Sequence, residues 1–506
     1  MIKIKLSLIS FVSAFGILTV SIIGSEGQWF ATVYLLILFL LTVVPMILMA
    51  KQRGSYLTTL LLTPVLLFSL GSLFLRLGLF NVFRYIEESW HPFISQEILQ
   101  KAAWLVILGN IALWVGYSFP FLKRIGEYLR IYPINWVRYE VKVSEYRIWL
   151  LFIIGLLARL YFLRNNLGGY FSYDPSARTD ALGYIQYIGL LENLTALSLV
   201  VYFSLQLLRG RQANWTGFSL MLAIELSTVF LMGFKGQVVY RLIYLIIAYA
   251  YIRGKFSWKL IAIGVIVLIV IMPVNLLMRS EYAGGYSDIE SGRVGTIVFG
   301  TLDALGEVVS GQTDFTFISA PERLIRQSAE MQDFAMAIQY VDRTGFTMNG
   351  AELLNLIYSF IPRAIWPSKP IASLGRWFSM VVYGGSSSSA AAITVPGDFY
   401  LNFGWLGVPL GMLVYGAFLR VVTVGVLEIK PNIRLAALVP FIILDLGLPS
   451  SELGSHLGGL IRQIIFFTVV LSLFLMPRES IDTPSRDGSI TNSKLSPEAI
   501  EIKGDS

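Results

Sequence analysis

Runs of about 20 mostly apolar residues recur along most of this chain, and a run of that length crosses a bilayer as one helix. IAIGVIVLIVIMPVNLLM, 261–278, carries no charge at all. Such runs stand at 6–24, 29–50, 56–78, 99–120, 148–163, 182–208, 216–233, 237–252, 258–278, 397–419, 434–448 and 459–476. A helix satisfies its backbone within one segment, as hydrocarbon demands. Composition agrees: 14% of residues are charged, against about 25% in a soluble domain. The expected fold is therefore an all-α polytopic membrane protein with about twelve transmembrane helices. Lys3 and Lys5 precede the first run, which has no clear small-x-small cleavage site and reads as an uncleaved helix.

Several chemistries are excluded early. There is no cysteine, so disulfides and thiolate sites are out. His91 and His456 are the two histidines, too far apart for a metal motif. No phosphate-binding Walker loop, dinucleotide fingerprint or H-E-x-x-H occurs, so no cofactor and no metal is expected. A net charge of +7 is modest and reports loop orientation rather than nucleic acid.

Lysine and arginine in short loops set orientation. With the N-terminus inside, every other loop is basic. One holds Lys51 and Arg53, and the next Lys123, Arg124, Arg130, Arg138, Lys142 and Arg147. Then follow Arg209 and Arg211; Arg253, Lys255 and Lys259; and Arg420, Lys430 and Arg434. Both termini fall on the cytoplasmic side. Four regions result: helices one to nine with short loops over 1–278, one large extracytoplasmic loop over 279–396, helices ten to twelve over 397–476, and a disordered cytoplasmic tail over 477–506. A loop of that length is usually functional. Within it, Glu322 to Tyr340 and Glu352 to Ile361 read as helical, the second lying along the membrane surface. Gly384 to Ala392 reads as a low-complexity hinge or lid.

Cations on the outward side then stand out: Arg84, Arg164, Arg178, Lys235, Arg279, Arg293, Arg323, Arg326, Arg343, Arg363, Lys369 and Arg376. Singly, each is an anchor or a solvated helix charge. Arg323, Arg326 and Arg343 would pair with Glu322, Glu330 or Asp342. As a set they suit an anion at the outer surface, because arginine grips phosphate with a planar fork and lysine adds a point charge. In FIPRAIWPSKP, Pro362, Pro367 and Pro370 restrict Arg363 and Lys369, which lowers the entropy lost on binding. Arg159 and Arg241 fall within or near spans and need a partner or a route to water.

PRAIWPSKP, the glycine- and serine-rich piece after it, and TVPGDFYLNFGWLGVPLGMLVYG (394–416) resemble the Wzy-type oligosaccharide repeat-unit polymerases of O-antigen and exopolysaccharide assembly. The motif match is confined to about 360–416, and the span layout extends it over most of the chain. The resemblance implies a glycosyltransferase C-like membrane enzyme in the bacterial cytoplasmic membrane. Its substrates would be polyprenyl-pyrophosphate-linked oligosaccharides. A hydroxyl attacks the anomeric carbon and polyprenyl pyrophosphate leaves, without nucleotide sugar or metal, as arginines hold the pyrophosphate. A chain-length regulator and a flippase are the implied partners beside the bilayer.

Onto this sequence the reaction maps as follows. Arg363, Lys235, Arg279 and Arg178 would stabilise the leaving group, with Lys369, Arg164 and Arg376 behind them and Trp366 beside them. Asp398 in PGDFY, Glu281 in RSEY, Asp174, Glu452 and His456 are the outward candidates for a base. Asp398 divides evenly between that role and capping its own helix. His456, in the loop SSELGSHLGG, keeps an O-antigen ligase reading open, because the ligases are associated with an outward histidine. A twelve-span transporter or flippase is the alternative from another class, although no matching halves are visible.

Overall fold

A computed structural model describes residues 29–53, 63–79, 94–131, 144–165, 167, 184–232, 235–283, 294–311, 330–361, 365–366, 368–369, 374–385, 391, 393–428, 433–449 and 452–474. Among these there is no strand. The helices are α1 (Trp29–Arg53), α2 (Pro64–Leu67, continued by π-turns over Phe68–Leu79), α3 (Gln96–Ser118), α4 (Phe121–Ile131), α5 (Glu145–Arg164), α6 (Ile185–Glu192), α7 (Leu194–Arg209) and α8 (Trp215–Leu231). Then come α9 (Lys235–Arg253), α10 (Trp258–Ala283), α11 (Val294–Ser310), α12 (Glu330–Thr344), α13 (Asn355–Tyr358), α14 (Leu374–Val381), α15 (Val395–Val422), α16 (Ile433–Gly447) and α17 (Leu453–Phe474).

Among the described residues, six stretches are long and apolar enough to cross a membrane: Gln96–Ser118, Glu145–Arg164, Ile185–Arg209, Trp258–Met278, Val395–Leu427 and Leu453–Phe474. Val33–Leu48, Pro64–Gly78 and Trp215–Leu231 are apolar but shorter. The run at 6–24 and the tail lie outside the described residues. Apolar side chains also face outward along whole helices. Leu150, Ile153 and Leu157 on α5, Ile263, Ile266 and Val270 on α10, and Leu410 and Val414 on α15 are all exposed. A soluble protein does not leave such stripes uncovered. The chain is a helical membrane protein.

The interior is built on two close approaches. Every residue of α7 from Leu194 to Leu207 is buried, the mark of a helix surrounded on all sides. Gly155 of α5 makes room for it, since a Cβ there would lie 2.7 Å from Thr195 N. The most extensive pair is α3 with α15. A Cβ on Gly116 would strike Leu413 O, and one on Gly416 would strike Leu113 O. Small residues let the two backbones touch, the usual packing device where lipid removes the hydrophobic drive between helices.

The spans hold a buried charge network. Arg159 is fully buried and reaches Glu225 Oε2 at 2.8 Å, Glu192 Oε1 at 2.9 Å and Thr228 Oγ1 at 2.7 Å. Arg241 Nε reaches Glu225 Oε1 at 2.8 Å. The two arginines thus meet two carboxylates inside the bundle, which answers the need for a partner.

At one end of the bundle, basic residues cover helix C-termini. Arg147 donates to Phe474 O at 3.3 Å and Arg253 to Leu207 O at 2.6 Å, while Arg209 pairs with Glu145. Arg434, expected in a loop, is instead buried in the first turn of α16. The opposite end carries α12 to α14 and the starts of α15 and α17.

The region expected as a single loop is more structured than the sequence suggested. α10 continues to Ala283. α11, unrecognised in the sequence, packs Ala304 and Val308 back on Val274, Leu277 and Met278 of α10. α12 buries Phe334 and Ile338, while Leu324, Ile325, Arg323 and Arg326 lie outside the described residues. Among the described residues the acids of α12 meet cations from other helices. Glu330 pairs with Arg76 at 3.2 Å, and Asp342 takes Lys101 at 2.6 Å and the Tyr400 hydroxyl at 2.7 Å.

Candidate functional site

The site begins with a break in α15. Thr394 caps this helix, its Oγ1 accepting from Gly397 N at 3.2 Å, with Pro396 in the first turn. At Gly404 the backbone turns to φ 65°, ψ −154°, a region open essentially to glycine alone. The carbonyls of Leu401 and Asn402 then accept from Met348 N and Asn349 N, each at 3.0 Å. Asn402 Oδ1 accepts from Gly350 N at 3.1 Å. The 345–350 turn makes this fit through three positive φ angles, at Gly345, Asn349 and Gly350. The broken helix therefore holds the segment that leads into Glu352.

From Glu352 to Tyr358 the chain is helical, as expected, with a 3-10 turn at Glu352–Leu354 leading into α13. It runs alongside α17. A Cβ on Gly454 would lie 2.8 Å from Glu352 O, and one on Gly458 would strike Ser359 Oγ. Glycines four apart on one helix face give the groove, and Leu354, Ile357 and Phe360 turn outward. The PRAIWPSKP piece folds back on this turn. Trp366 meets Tyr358 edge to face at 5.3 Å, and Lys369 Nζ donates to Ile361 O at 3.1 Å. Lys369 is buried, so its charge is held rather than solvated.

Beside this turn three carboxyl groups gather. Asp398 is fully buried, its Oδ1 taking Asn402 Nδ2 at 2.8 Å and its Oδ2 taking Leu453 N at 2.7 Å. It caps a helix, as one of its two expected roles required, but that helix is α17 rather than its own. Glu452 precedes α17 and accepts from Ser455 Oγ at 2.6 Å. Glu352 is buried between these two. Burial, then the Asp398 carboxyl, then Glu452 push its carboxyl up to about 9. Further along α12's side of this end, burial raises Glu330 above the usual carboxylate range although Arg76 opposes the shift.

His456 was placed in a loop, but α17 begins at Leu453 and includes it. Its Nε2 lies 2.9 Å from Asp445 O on α16. It is half-buried and tied to the bundle. Arg164 is exposed in the last turn of α5, and Arg376 is half-buried on α14. Lys235, Arg279 and Glu281 fall on α9 and α10, with side chains outside the described residues. Arg363, Arg178 and Asp174 lie outside the described residues altogether, as does most of the Gly384–Ala392 piece. Of the expected site residues, the structure brings together Lys369 and Trp366 on one turn, with Asp398 and Glu452 beside it.

Two residues were missed. Glu352 was read as part of a surface helix, and nothing local marks it as buried. Arg462 sits inside the last apolar run, where a charge is itself the signal. Its Nη1 donates to Gln186 Oε1 at 3.2 Å and to Ser359 O at 3.1 Å.

A family model described as Domain of unknown function (DUF8712) matches residues 171–428. The match covers just over half of the chain, which belongs to that family. It spans Arg178, Lys235, Arg279, Arg363, Lys369 and Asp398 and stops before α16 and α17. No curated protein and no solved structure matches the chain.

Proposed function

We propose that this DUF8712 member is a membrane glycosyltransferase that joins polyprenyl-pyrophosphate-linked oligosaccharide repeat units at the outer face of a bacterial cytoplasmic membrane. The observation that carries the reading is the seating of the PRAIWPSKP segment. The turn that leads into Arg363 is docked on α17, and Lys369 is tied to its carbonyl at Ile361. A cation held as Lys369 is loses little freedom when it meets an anion. Arg363 and Lys369 would then grip the pyrophosphate as it leaves the sugar, and Arg164, Arg178, Lys235 and Arg279 are the further cations proposed for it.

In this reading the chain has twelve spans, both termini inside, and 279–396 on the substrate side. A hydroxyl oxygen of the acceptor unit forms the new bond to the anomeric carbon. The bond from that carbon to the pyrophosphate oxygen breaks, polyprenyl pyrophosphate leaves, and the hydroxyl proton is released. Charge on the leaving group is the part that the side chains can stabilise. Asp398, with both oxygens engaged and no exposure, serves as a helix cap in this scheme rather than as the base.

The test is mass spectrometry of lipid-linked oligosaccharides in cells lacking this gene. Single repeat units accumulating while long polymer disappears supports the polymerase. Long lipid-linked chains accumulating points to ligation, and an unchanged profile removes both.

A further inference from the structure

We propose that Arg462 is the inner wall of a phosphoryl-binding seat, formed where α17 meets α6 and the 355–361 turn. Arg462 is the tenth residue of α17, about 13 Å along it at 1.5 Å per residue, on the same face as Gly454 and Gly458. Its recorded hydrogen bonds go to an amide oxygen and a backbone carbonyl. Its Nε is buried without a hydrogen-bond partner. Among the described residues no carboxylate pairs with it, in contrast to Arg159 and Arg241 in the same bundle. A cation at that depth is costly and marks a functional position. An arginine that meets no acid among the described residues, in a bundle that supplies acids to Arg159 and Arg241, is suited to an anion that comes and goes.

The surroundings narrow the ligand. Tyr187 of α6 faces Arg462 electrostatically and is exposed. Tyr184 is exposed too, and its hydroxyl lies 3.5 Å from that of Tyr161 on α5. Arg164 ends α5 one turn beyond. The seat thus combines a guanidinium, phenols and the turn that precedes Arg363. That chemistry fits a phosphate or pyrophosphate on an amphiphile, either a polyprenyl pyrophosphate or a phospholipid headgroup. Identification with the substrate rests on the polymerase reading, whereas the seat itself does not.

The test uses the full-length protein in phosphatidylcholine nanodiscs, titrated with undecaprenyl pyrophosphate or, separately, prepared with phosphatidylglycerol in the disc. Charge-assisted hydrogen bonds of about 1.5–3 kcal/mol correspond to roughly a 10- to 100-fold loss of affinity for Arg462→Gln. Arg462→Lys keeps a point charge and is expected to fall between. It also serves if the glutamine variant fails to accumulate. Loss for the pyrophosphate alone assigns the seat to the lipid-linked substrate. Arg462-dependent retention of phosphatidylglycerol assigns it to a headgroup. Wild-type affinity for both ligands in the variants, or no binding by the wild type, overturns the seat. Arg462-dependent binding in a protein whose loss leaves lipid-linked oligosaccharides unchanged keeps the seat and removes the polymerase.

Discussion

Glu225 offers the sharpest test of how the bundle is held. Its carboxylate is fully buried and serves two arginines: Arg159 at 2.8 and 3.0 Å, and Arg241 at 2.8 Å. Glu225→Gln keeps the shape and removes the charge. Arg159 would retain Glu192, at 2.9 Å, but Arg241 would keep only Gln237 Oε1. Removing one partner of a buried pair costs about 3–5 kcal/mol, because the other charge stays buried. Single interhelical hydrogen bonds in membranes average only about 0.6 kcal/mol, so charge imbalance rather than bond count dominates here. The expected cost is near the lower end, about 3 kcal/mol. Adding Arg241→Gln restores neutrality, so the double variant should lose less than the sum of the singles, by about 1–2 kcal/mol. Equilibrium unfolding of the purified protein in mixed micelles reads both numbers. A glutamine variant within about 0.5 kcal/mol of wild type, or strictly additive losses, would refute the reasoning.

Other expectations follow from single contacts. Arg363→Ala should abolish chain extension while the protein still accumulates; wild-type polymer length in that variant would sink the catalytic assignment. Gly404→Ala places a Cβ at φ 65° and should cost about 1–3 kcal/mol, with faster proteolysis in the 345–361 segment as the readout. Gly458→Leu fills the space of Ser359 and should abolish activity by expelling the turn, while Gly459→Leu, with open space around it, should not. Glu352 binds its proton in the fold up to about pH 9, against 4.5 ordinarily. The folded state therefore holds the extra proton between those values, and stability falls as pH rises through that window. Glu352→Gln mimics the protonated form, so its unfolding midpoint should be flatter from pH 5 to about 9; an unchanged slope would show that Glu352 titrates elsewhere.

The helices were legible because apolar run length is a one-dimensional signal. Each expected span within the described residues falls on a helix, and among those residues six stretches meet the length and hydropathy of a full crossing. Start points were less legible where a cap comes from far away in sequence. α17 starts at Leu453 rather than near 459 because Asp398, 55 positions earlier, takes its first N–H. That contact turns His456 from a loop residue into a helical one. The 352–361 stretch is helical over Glu352–Tyr358, as its apolar pattern suggests. What that pattern does not show is its contact with α17, which Gly454 and Gly458, a hundred residues on, make possible.

Charges inside apolar runs were the least used signal and the most informative. Arg159, Arg241, Glu192 and Glu225 interrupt different spans, and each is unfavourable alone in a bilayer. Neutrality links two arginines to two glutamates, and the fold realises that pairing at 2.8 to 3.0 Å. The same accounting leaves a remainder. Arg462 interrupts the last span and is met by an amide and a carbonyl, not an acid. Among the described residues, acids neutralise the buried Arg159 and Arg241 but not the half-buried Arg462, and the proposed seat rests on that electrostatic contrast. On the proposed reading, the anion would sit beside α17, on the stripe that runs from Gly454 through Gly458 to Arg462.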